Sequence, residues 1–148
     1  VNLGLEEMHW QQLMKQGNDC FDQQQWLQAE YFYQEAITSL DSLWQQDIEN
    51  IELLMAWISG VHNLSALFEV QEESQVALQF LLIAHQRMLD LSQNQTLSED
   101  MQLIAHRALK TTLMPLLQYS QKYPTCNHCQ HALQTLKAQL DQNQETVH

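Results

Sequence analysis

Basic residues are scarce: six Lys and Arg stand against eighteen Asp and Glu, for a formal net charge of −12. Nucleic acid and anionic lipid both need clustered cations. Here Lys15, Arg87, Arg107, Lys110, Lys122 and Lys137 are scattered along the chain, so neither is an expected partner. Glycine and proline are scarce too, at 3 and 2 copies, which leaves few of the residues that punctuate turns and hairpins. No run of about 18 apolar residues is present, so no transmembrane helix is expected. The opening VNLGLEEMHW carries neither a basic nor an apolar segment of the secretory kind, and the expected location is cytoplasmic. The three cysteines are Cys20 and the two of CNHC, Cys126 and Cys129. A disulfide framework would need more, so reduced thiols are expected.

What is present favours helices. The 148 residues are 45% hydrophobic, enough for the core of one domain. Gln, Leu and Ala are abundant, and all suit helices. The fold class expected is all-α. Apolar periodicity predicts helices over about 5–23, 26–46, 51–70, 75–92, 99–122 and 126–142. The third is apolar nearly all round, as a central helix would be. Ser74 and Ser98 are candidate N-caps, with Glu99 and Asp100 in the turn after Ser98. Pro115 removes a backbone donor and is expected to kink or split the fifth helix.

Small and aromatic residues recur in GNDCFDQQQWLQAEYFYQEAI, at Gly17, Phe21, Trp26, Ala29, Tyr33 and Ala36. Small residues let two helices approach, and the aromatics fill the volume around that contact. The pattern returns in NLSALFEVQEESQVALQFLLIAH, where Leu64, Ser65, Phe68, Ala77, Leu81 and Ala84 stand at matching offsets. Ser65 takes the place of Gly17, 48 residues on. These motifs closely resemble the tetratricopeptide (TPR) repeat, whose usual period is 34 residues. An overlong second helix accounts for the extra length. The resemblance implies a TPR-like superhelix of about three helix pairs in one domain. Repeat 1 covers about 8–46, repeat 2 about 51–92, and a degenerate or capping pair about 98–142. The chain is also similar to small bacterial proteins of this repeat type, a likeness that implies no activity.

Catalytic patterns are missing: there is no nucleophile elbow, phosphate loop or H-E-x-x-H. A non-enzymatic protein without cofactor or metal is expected. CNHCQH invites a zinc reading through Cys126, His128, Cys129 and His131. On a helix, however, His128 stands about 100° and His131 about 160° from Cys129, so the four cannot converge. Both thiols instead extend the apolar stripe of Leu133, Leu136 and Leu140. His62, His85 and His106 are expected as partly buried, hydrogen-bonded rings. Trp10, Trp26, Trp44 and Trp57 are expected as packing residues, with room for partial exposure at Trp10 and Trp44 near element ends.

In the TPR family the first helices of successive repeats line a concave groove that holds a peptide or partner helix. The resemblance places Gln11, Met14, Lys15, Asn18, Phe21 and Asp22 in that groove, opposite Ser59, His62, Asn63, Ala66, Glu69 and Val70. Of these, Met14, Lys15, Asn18, Phe21, His62 and Asn63 form the expected partner-binding groove. Asn18 and Asn63 stand where carboxylate-clamp members keep asparagines, but Met14 occupies the place of a clamp lysine. The two asparagines are expected to line the groove without supporting the fold. A protein or peptide partner, neutral or basic, is the function this implies, in an adaptor or chaperone-like module. Two other readings stay open. One is a structural role, with the groove filled by the third helix pair or by a second copy in a homodimer. The other is thiol-redox chemistry at Cys126 and Cys129.

Overall fold

The computed structural model describes residues 3–123 together with residues 131, 134, 135, 137 and 138. The described residues are all-α, without a strand. Helix α1 spans Leu3–Asp22, α2 Trp26–Gln46, α3 Ile51–Val70, α4 Ser74–Ser92 and α5 Glu99–Lys122. Each helix packs on the next, and α3 also touches α5. Neighbours run antiparallel: Asn18 meets Tyr33 beside the first turn, Trp44 meets Trp57, Ser65 meets Ala77, and His85 meets Thr112.

Local chemistry explains the boundaries. Asn50 caps α3, its side-chain oxygen accepting from the Leu53 amide at 3.1 Å. Ser98 caps α5 by accepting from the Met101 amide at 3.1 Å, and its hydroxyl donates to Glu49. Ser74 is not the cap expected of it. It is the first residue of α4, Glu73 holds the cap position, and no side chain caps that end. Pro115 does not split α5, which runs through it unbroken for 24 residues. The amide that proline lacks leaves the Thr111 carbonyl without its helical donor. Thr111 is exposed, where water can replace that donor.

The turns after α1 and α3 are built alike. Gln24 and Glu72 both adopt φ of 62°. Gln25 N donates to Cys20 O at 2.8 Å and Gln24 N to Phe21 O at 3.0 Å. The equivalent bonds run from Glu73 N to Phe68 O at 2.9 Å and from Glu72 N to Glu69 O at 3.0 Å. These are the paired six-to-one and five-to-two bonds of a Schellman ending. Every partner in the second turn lies 48 positions after its counterpart, the same offset that relates Gly17 to Ser65.

The small residues of both units are buried. Ala29, Ala36, Ala77 and Ala84 are each 0% exposed. Around them lie two joined apolar regions. One gathers Trp10, Trp44, Trp57, Leu54, Met88 and Met101 from all five helices, and the other gathers Tyr33, Leu64 and Leu67 with Phe21 and Trp26 against them. Trp10 and Trp44 pack in this core, at 9% and 1% exposure, so neither takes the partial exposure that its place in the sequence left open. Trp44 Nε1 donates to Ile48 O at 3.1 Å. The Arg87 guanidinium is wedged over the rings of Trp44 and Trp57, at 4.2 and 4.5 Å, and pairs with Asp41 at 2.7 Å.

Helix α3 is long and apolar enough to cross a membrane by length and composition, although no unbroken apolar run marks it in the sequence. In this fold half of it is buried, between α2 and α4. Beyond α5, His131, Gln134, Thr135, Lys137 and Ala138 are helical and exposed, and the Thr135 hydroxyl donates to His131 O at 2.9 Å. Cys126, His128 and Cys129, and with them the zinc and thiol readings, lie outside the described residues, as does most of the predicted helix over 126–142.

Candidate binding clefts

Alternate helices α1, α3 and α5 run in the same direction and leave a cleft on each side of α3. The first, of about 480 Å³, lies between α1 and α3. Helix α1 contributes Trp10, Gln11, Met14, Lys15 and Asn18, and α3 contributes Glu52, Met55, Ala56 and Ser59. Its depth is set by small residues. A β-carbon on Gly60 would come within 3.1 Å of Ile37 and 3.6 Å of the Met14 sulfur, so α1, α2 and α3 meet closely beneath the floor.

The second cleft, of about 350 Å³, lies between α3 and α5. It is lined by His62, Ser65, Ala66 and Glu69 of α3, by Leu81, and by Pro115, Gln118, Tyr119 and Lys122 of α5. Lys122 bridges to Glu69 at 2.6 Å across one end, and Tyr123 donates to the same carboxylate oxygen at 3.3 Å. The Glu69 hydrogen bond and charge hold Lys122 above the usual lysine range. His62 Nε2 is buried and has no partner among the described residues. Burial pushes the His62 imidazole below its usual pKa.

The six residues expected in one groove are therefore distributed. Met14, Lys15 and Asn18 share the α1/α3 cleft. His62 opens into the α3/α5 cleft instead. Phe21 packs edge-on against Trp26, with ring centres 5.4 Å apart, in the apolar region beside Tyr33. Asn63 is half-buried and lines neither of the two clefts. Asn18 is more than lining. Its side-chain oxygen accepts from the buried Tyr33 hydroxyl at 2.6 Å, leaving one lone pair and its amide hydrogens for the cleft. Burial first, then the nearby Asp22 and Cys20, push the Tyr33 hydroxyl up to about 12.

Sequence reasoning missed Glu52, Met55 and Ala56. The signal was there: Met55 and Glu52 stand four and seven residues before Ser59, on the same helical face. Among the described residues, no three His, Cys, Asp or Glu side chains are placed to share a metal ion. Of the other histidines expected as hydrogen-bonded rings, His85 is buried with Nδ1 2.8 Å from the Thr112 hydroxyl. His106 is half-buried on α5.

Antiparallel helices in succession, with clefts between alternate ones, make the described residues an all-α protein. The chain belongs to the DUF2753 family, described as a protein of unknown function, whose family model matches residues 8–148. No curated protein and no solved structure matches it.

Proposed function

We propose that this protein is a non-enzymatic, TPR-like adaptor or chaperone-like module that holds a segment of a protein partner in the cleft between α1 and α3. The TPR-like reading draws support from the two equivalent turns and from the buried small residues at matching offsets. Under it, α1, α3 and α5 are the inner helices of successive pairs. The carrying observation is the composition of the α1/α3 cleft: two methionines flanked by side-chain amides and a hydroxyl. Methionine is pliable and fills irregular pockets, while amides and hydroxyls can bond a peptide backbone. The charge of −12 favours a neutral or basic protein segment over nucleic acid or an anionic membrane, and a cytoplasmic setting suits the reading.

Selection of displayed peptides on the purified protein tests the proposal. Met55 is 42% exposed, so Met55→Asp alters the cleft without disturbing the core. Selected peptides should lose at least tenfold in affinity for Met55→Asp and bind normally to Leu27→Asp, a change at an exposed α2 position that lines neither cleft. Retention by Met55→Asp, or loss only in Leu27→Asp, overturns the proposal.

A further inference from the structure

The α1/α3 cleft carries one charge of each sign, at opposite ends. Met14 packs level with Gly60, its sulfur within 3.6 Å of where a Gly60 β-carbon would stand. Lys15 is therefore level with Val61, nine residues along α3 from Glu52. At about 1.5 Å per residue the two charges are about 13 Å apart along the cleft. Both residues are exposed, and among the described residues neither has an ion-pair partner. Met14, Met55 and Ala56 fill the space between them. Gln11, Asn18 and Ser59 supply side-chain hydrogen-bonding groups along the walls. Such groups serve an extended chain, whose backbone is free, better than a helix, whose backbone bonds are already made.

We infer that the α1/α3 cleft takes an extended partner segment of about four residues' span, apolar in the middle, with a basic side chain at the Glu52 end and an acidic one at the Lys15 end. The length follows from the separation: about 13 Å is four steps of about 3.3 Å in an extended chain. Charge complementarity sets which segments fit, and mismatched ends are rejected by like-charge contact. A second copy of the chain would also satisfy both charges about a two-fold axis. It would, however, bring together two molecules of charge −12 each, so a foreign segment is the better occupant.

The inference rests on the cleft being a docking surface, and the test separates the two ideas. Three blocked pentapeptides serve as probes: Lys-Leu-Met-Leu-Glu, Lys-Leu-Met-Leu-Lys and Glu-Leu-Met-Leu-Glu. Affinities are read by NMR titration in about 0.15 M salt, where long-range fields are screened. The wild type should prefer the mixed-charge peptide by about three- to fivefold, the scale of an exposed ion pair. Glu52→Lys should move the preference to the Glu/Glu peptide, and Lys15→Glu to the Lys/Lys peptide. An unchanged ranking in all three proteins overturns the inference, and so does the absence of binding. If Met55→Asp weakens all three peptides while Glu52→Lys and Lys15→Glu leave the wild-type ranking unchanged, docking stands and the charge selection fails. Binding that survives Met55→Asp removes the docking surface itself. A dimer in light scattering that Glu52→Lys dissociates also overturns the inference, by giving the cleft to a second copy.

Discussion

A β-carbon on Gly17 would stand 2.6 Å from both Cδ1 and Cε1 of Tyr33. The absence of a side chain at that position sets how closely α1 and α2 approach. Tyr33 cannot swing away, because its ring is buried and its hydroxyl is tied to Asn18. Alanine is the better helix former by about 1 kcal/mol, but overpacking costs about 1–3 kcal/mol. An approach of 2.6 Å to a pinned ring puts this overpacking toward the upper end of that range, so Gly17→Ala should lower stability by about 1–2 kcal/mol net in urea unfolding. An unchanged or raised midpoint would mean that the helices separate at little cost.

Asn18 supports the fold as well as the cleft. Asn18→Ala strands the Tyr33 hydroxyl in a residue only 2% exposed. Stranding a buried polar group costs about 1–3 kcal/mol. The expectation that Asn18 could be removed without loss of stability is thereby corrected. In a double-mutant cycle, Asn18→Ala should cost less on a Tyr33→Phe background, where no hydroxyl is left stranded. Additive losses would show that the 2.6 Å bond carries no coupling.

Acid should weaken the protein through its buried imidazoles. Burial holds His85 and His62 below the ordinary value of 6.5. The unfolded chain accepts protons near pH 6.5 that the folded one resists. Their contribution to stability is thus whole above that pH and declines as pH falls below it. His85 Nδ1 lies 2.8 Å from the Thr112 hydroxyl, whose oxygen also lies 3.2 Å from Leu109 O. His85→Gln keeps a donor but cannot titrate. Between pH 7 and 5 the melting temperature of the wild type should fall more steeply than that of His85→Gln. Parallel curves would remove His85 as a source of acid sensitivity.

The two Schellman turns place non-glycine residues at φ of 62°. Left-handed backbone costs a side-chain-bearing residue roughly 1–2 kcal/mol, part of which glycine recovers. Gln24→Gly and Glu72→Gly should each stabilise by about 0.5–1 kcal/mol, and the two should add, since the sites share no partner. Thermal unfolding of the two single variants and the double variant measures this. A loss of stability at either site would show that the side chain contributes more than its backbone costs.

Helix positions were legible in the sequence because their causes are local. The bounds of α2, α3 and α5 follow from apolar periodicity, from Ser98 as a cap, and from the few residues able to turn the chain, whereas the Asn50 cap of α3 emerged only from the structure. The close packing at Gly17 and Ala29 was legible too, since only small residues permit it. Other features were decided by tertiary structure, because helical periodicity says which residues share a face but not which neighbour that face meets. His62 and Asn63 adjoin in sequence, yet a rotation of about 100° per residue separates them: His62 lines the α3/α5 cleft and Asn63 lines neither cleft. Trp44 lies in the last turn of α2, where sequence position leaves exposure open, and contacts with other helices bury it. Glu52 and Lys15 are 37 positions apart in the chain. Only the register of α1 against α3, set by Met14 packing at Gly60, makes them the two ends of one cleft.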